Sequence, residues 1–87
     1  MSDLIRVKTK ETVAYISYAN DELEIRSHNP KIITLIDALL KLNGQKTSSH
    51  TLVLKEDKNY KKYKLTKLDY DLLIECLPAH NLIIYDR

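Results

Sequence analysis

The stretch Leu23-Glu24-Ile25-Arg26-Ser27-His28-Asn29-Pro30-Lys31-Ile32-Ile33-Thr34-Leu35-Ile36 decides the fold, because its hydrophobic period changes partway along. Leu23 and Ile25 alternate with Glu24 and Arg26, as in a half-buried strand. From Ile32 onward the apolar residues recur at three and four positions, and Ile32, Leu35, Ile36 and Leu39 form the predicted core stripe of a helix. Asn29 is a good N-cap, and Pro30 suits the first helical position, where its missing N–H costs nothing. Gly44, the only glycine, follows Asn43 and fits a left-handed C-cap. The predicted helix therefore spans 30–43.

Upstream, 4–8 alternates with Ile5 and Val7 on one face, and 13–18 is rich in β-formers. Ala19-Asn20-Asp21-Glu22 supplies turn chemistry, which makes 13–26 a β-hairpin. Downstream the plan repeats. Residues 51–55 read as a strand, 56–59 as a polar turn and 60–65 as the partner strand, with Tyr63 and Leu65 joining Leu52 and Leu54 in the core. Thr66-Lys67-Leu68-Asp69 resembles a capping box. Leu68, Leu72, Leu73, Cys76 and Leu77 trace a second helical stripe that Pro78 ends. Leu82-Ile83-Ile84-Tyr85, apolar on both faces, suits an interior strand.

The expected fold is thus α+β in the order β-ββα-ββα-β, with a mixed or antiparallel sheet and both helices on one face. A shift of 38 residues aligns 7–43 with 45–81 and matches six pairs, among them Leu35/Leu73, Ile36/Ile74, Leu39/Leu77 and Asn43/Asn81. A ββα duplication and the shared amphipathicity of two helices account for these matches about equally well. With 87 residues the chain has one core to build, so 1–87 is read as a single compact domain.

Composition narrows the function classes. A hydrophobic content of 44% supports a folded chain, and one cysteine excludes a disulfide scaffold or a thiolate zinc site. No apolar run is long enough to span a bilayer, and Met1 to Arg6 lacks a signal-peptide core, so a cytoplasmic protein without membrane contact is expected. Net charge is only +2, but Lys55, Lys58, Lys61, Lys62, Lys64 and Lys67 crowd one stretch against Glu56 and Asp57. Lysine far outnumbers arginine, a usage that AT-rich coding also produces.

No enzymatic constellation stands out, and no cofactor is implied. His28, His50 and His80 all fall at element ends, without the spacing of a metal site. Ser48-Ser49-His50 has no accompanying oxyanion turn and reads as a loop. Cys76 sits in an apolar stripe and reads as core, while Asp71 and Glu75 share a solvated helix face with Lys67.

Binding is the remaining class. Both helices carry more apolar surface than a two-layer fold buries, through Ile33 and Leu40 on the first and Tyr70 and Ile74 on the second. Either the helices pack on each other and cover these flanks, or the flanks meet a protein partner or a second copy. Short proteins of this kind, encoded by phages and other mobile elements, commonly act as inhibitors or adaptors that bind a host protein complex. That is the expected function. The alternative is a nucleic-acid-binding module formed by hairpin 55–67, in which Lys55, Lys58, Tyr60, Lys62 and Lys64 project to one side.

Overall fold

The computed structural model describes residues 3–48 and 51–86. In chain order the elements are β1 (Asp3–Lys8), β2 (Val13–Ala19), β3 (Glu22–Ser27), α1 (Pro30–Thr47), β4 (Leu52–Asp57), β5 (Tyr60–Lys64), α2 (Lys67–Cys76), a single 3-10 turn (Pro78–His80) and β6 (Ile83–Asp86). This is the expected α+β succession. Every strand pairing is antiparallel, which settles the choice between a mixed and an antiparallel sheet. The strands lie in the order β4-β5-β3-β2-β1-β6.

Local chemistry places the turns and caps. Asn20 and Asp21 adopt φ of 53° and 62°, the left-handed pair of a type I′ hairpin that joins β2 to β3. The Asn29 side chain accepts from the Lys31 N–H at 3.0 Å and opens α1. Thr66 accepts from the Asp69 N–H at 3.3 Å and opens α2. Among the described residues no helix is long and apolar enough to cross a membrane.

The end of α1 differs from expectation. Gly44 lies inside the helix, which continues to Thr47 and is capped by Ser48 at φ 58°. The extra turn is held from outside, because the Thr47 hydroxyl bonds the Asn43 carbonyl at 3.2 Å and the buried Asp69 carboxylate at 3.3 Å. Gly44→Ala should therefore stabilise the protein by about 0.5–1 kcal/mol in urea unfolding. A left-handed cap would give a loss instead.

The core lies between the helices and one face of the sheet. Ile5, Ile16 and Ile25 oppose one another across β1, β2 and β3, and Tyr18, Leu23 and Tyr63 do so across β2, β3 and β5. From the helices come Ile32, Ile33, Ile36, Leu39 and Leu40, then Tyr70 and Leu73. Tyr70 stacks on Tyr18 with ring centres 4.3 Å apart, and the Tyr18 hydroxyl donates to the Leu65 carbonyl at 2.9 Å.

Several expected core positions turn out to be exposed. On α1 the predicted Ile32, Ile36 and Leu39 are buried, but Leu35 lies at the surface and Ile33 and Leu40 complete the buried face in its place. This phase also brings Asp37 to β5, where Lys61 and Tyr63 donate to its carboxylate. Leu68 is exposed on α2. Leu52 is exposed because its register opposite Lys64 sets it on the outer face of the sheet, and Leu54 because it falls where the β4–β5 register shifts, on an edge strand. The strand of 82–85 is not interior either: β6 is the other edge, with Ile84 turned toward the core and Ile83 and Tyr85 toward water.

Strand order gives the 38-residue offset a geometric meaning. The offset carries the first residue of β3, Glu22, onto the first residue of β5, Tyr60. β3 and β5 are neighbours, and the pair Glu24 and Lys62, themselves one offset apart, face each other in the ladder. The offset therefore carries one strand of the β3–β5 ladder onto the other about the Glu24–Lys62 pair. β1 and β6 extend the sheet beyond β2, and nothing among the described residues does the same beyond β4.

Candidate functional site

Alternation that turns Ile5, Val7, Ile16, Leu23 and Ile25 inward turns their neighbours outward, onto a sheet face that neither helix covers. The pairing registers then set one residue from each strand in a single row across this face: Asp86, Arg6, Tyr15, Arg26, Tyr60 and Asp57. At the ordinary strand spacing the row is about 24 Å long. Cations and rings alternate along it. The Arg26 guanidinium lies 4.7 Å from the centre of the Tyr60 ring, and Arg6 lies 5.9 Å from that of Tyr15. Lys55 also approaches the Tyr60 ring, at 5.7 Å.

A second row runs parallel to the first, through Leu4, Ser17, Glu24, Lys62 and Lys55. Its centre is acidic and fully engaged. The Glu24 carboxylate accepts from the Tyr60 hydroxyl and from Ser17 at 3.3 Å, with Arg26 at 3.9 Å. The Tyr60 bond in particular holds the Glu24 carboxyl below its usual range. Burial and the bond to Glu24 push the Tyr60 hydroxyl upward.

The lysines of the hairpin divide between the two sides of the sheet. Lys55, Lys62 and Lys64 share the outer face with Tyr60, and Lys58 stands in the exposed β4–β5 turn. Lys62 is tied to Glu22 at 2.8 Å, whereas no ion pair among the described residues engages Lys55, Lys58 or Lys64. Lys61 points inward instead and meets Asp37 at 3.0 Å. The outer face holds Arg6, Lys8, Arg26, Lys55, Lys62 and Lys64 against Glu22, Glu24, Asp57 and Asp86, a surplus of two positive charges before Lys58 is added.

Where Tyr15, Arg26 and Tyr60 approach His28 and Lys58, the face deepens into an open cleft of about 590 Å³. No family model matches the chain, and no curated protein or solved structure is significantly similar to it. Function must therefore be argued from this geometry.

The helix flanks fare differently from the hairpin. Ile33, Leu40 and Tyr70 are buried, and Ile74 packs against the same core half-buried, so these residues fill the interior and leave no docking flank exposed. His28 and His80 are exposed, and Ser49 and His50 lie outside the described residues. No three metal-ligating side chains gather among the described residues. The Cys76 thiol, half-buried beside the core, donates to the Leu73 carbonyl at 3.2 Å. Asp71 and Glu75 are exposed, and Lys67 meets Asp71 at 3.0 Å.

Sequence reasoning missed Arg6, Tyr15 and Arg26. The alternation of each strand already turned them outward. What joins them to Tyr60 is the placement of β5 beside β3, which no local pattern encodes.

Proposed function

We propose that the chain is a non-enzymatic binding protein that takes single-stranded nucleic acid on the open face of its sheet. The observation that carries this reading is the Arg6, Tyr15, Arg26, Tyr60 row. Every unpaired base offers a flat π-face, and stacking on an aromatic ring contributes about 1–3 kcal/mol per base. Arginine planes extend the same platform, and Lys55, Lys58 and Lys64 supply ammonium groups for the phosphates between bases. A duplex keeps its bases stacked inside and would leave the rings without a partner.

The hairpin residues singled out from the sequence keep their place, with two changes. Lys62 is engaged by Glu22, and Tyr15 and Arg26 join the surface. An inhibitor or adaptor docking on an acidic protein would use the same lysines but would make little demand on the tyrosines, so the rings distinguish the two classes.

Fluorescence anisotropy with labelled oligo(dT) and oligo(U) tests the proposal. Binding should weaken steeply with salt, by nearly one unit of log–log slope per neutralised phosphate. Tyr15→Ala, at a ring already 44% exposed, should fold normally and bind about tenfold or more weakly. Wild-type protein that ignores both oligonucleotides at low salt overturns the proposal, as does a Tyr15→Ala protein that binds them equally well.

A further inference from the structure

Among the described strands only β4 has every residue exposed. Leu52, Val53 and Leu54 leave 59%, 43% and 43% of their surface in water. Three consecutive large apolar side chains on a sheet edge invite pairing with another strand. Charged guards are present on only half of the strand, beginning at Lys55 and continuing through Lys58, and the ladder to β5 shifts register between Val53 and Lys55. The opposite edge, β6, has four residues and ends on Asp86, which is held by Arg6 at 3.2 Å. On the far side of the sheet β2 is flanked by β1, while β4 has no such outer neighbour among the described residues.

We infer that β4 pairs antiparallel with β4 of a second copy, about a two-fold axis lying within Leu52–Leu54. Charge selects both the occupant and its direction. An axis there lays the uncharged triplet on itself and sends the two runs Lys55-Glu56-Asp57-Lys58 away from each other. A parallel copy would set Lys55 beside Lys55 and Lys58 beside Lys58, and like charges directly opposite are destabilising. Pairing β4 with β6 of the next copy would not close and would string the chains into a fibre. The two-fold arrangement closes after two copies and satisfies both free ladders at once. It also makes one continuous outer face, with the Lys55 side chains of the two copies on opposite sides of the axis.

Sedimentation velocity across a concentration series tests this independently of nucleic-acid binding. The wild-type chain should sediment as a dimer. Leu52→Lys and Val53→Lys, both at exposed positions, should sediment as monomers with circular dichroism unchanged and a Tm that no longer rises with concentration, and either variant suffices if the other folds poorly. Leu42→Lys, on an α1 residue 47% exposed, should remain dimeric. A wild-type chain that stays monomeric at every concentration overturns the inference, and so do β4 variants that stay dimeric. The oligonucleotide measurements on the same samples report separately on the outer face.

Discussion

Leu40→Glu should abolish folding, while Leu42→Glu, two residues along the same helix, should scarcely be felt. Leu40 is 2% exposed among the core side chains and Leu42 is 47% exposed. A glutamate at position 40 must either ionise without a partner in the interior or take up a proton there, and it also leaves unfilled the space that Leu40 occupied. Losses above about 4 kcal/mol are exceptional and arise from such causes. A domain of 87 residues has about 4–13 kcal/mol in all to lose. At position 42 the change should stay within about 0.5 kcal/mol. Thermal melts followed by far-ultraviolet circular dichroism, with amide chemical-shift dispersion as a second readout, separate the two outcomes. A folded Leu40→Glu protein would return that flank of α1 to the surface and reopen it as a docking site.

Asp37→Ala should cost about 3 kcal/mol and lower Tm by about 10 °C or more. Asp37 joins α1 to β5 through two donors, the Tyr63 hydroxyl at 2.7 Å and Lys61 at 3.0 Å, and meets Lys41 of its own helix at 2.9 Å. Removing the carboxylate leaves the Lys61 ammonium, 11% exposed, with only the distant and solvated Glu56 at 3.4 Å. It also leaves the hydroxyl of the buried Tyr63 without its acceptor. Burial alone would raise the Asp37 pKa, but the bonds from Lys41, Tyr63 and Lys61 outweigh it and hold the carboxyl below its ordinary value. The folded pKa is thus the lower one. The contribution is complete above the unfolded value near 4 and disappears as pH falls through the folded value. Asp37→Asn, unable to titrate, should flatten the acid limb of stability between pH 7 and pH 3 in urea unfolding, relative to wild type. Equal acid limbs in the two proteins would show that Asp37 carries no such linkage.

What the sequence disclosed was whatever depends on neighbours along the chain. The Asn20-Asp21 turn, the Asn29 and Thr66 caps, and the change of period at Pro30 all act over a few residues, and each appears in the structure. The phase of α1 was misjudged by one flank, because Leu35 and Leu40 are equally apolar. The choice between them depends on contacts distant in sequence, among them the bond from Lys61 to Asp37, 24 residues away. Gly44 carried cap chemistry, yet Thr47 and Asp69 keep the helix going past it. On the candidate site, the outward set Lys55, Tyr60, Lys62 and Lys64 was legible from alternation within β5. Its completion by Tyr15 and Arg26 was not, since it depends on strand order.

The register that places Asp86 opposite Arg6 bears on folding kinetics. Each hairpin closes across two residues, whereas the β1–β6 ladder closes a loop of nearly the whole chain and meets a larger entropic cost before it gains any contact. Contacts this distant in sequence are expected to form after the hairpins have docked and to open first from the native state. The hydrogen-exchange gradient should therefore run across the sheet, from fast amides at β6 to slow ones at β3, which is flanked on both sides by β5 and β2.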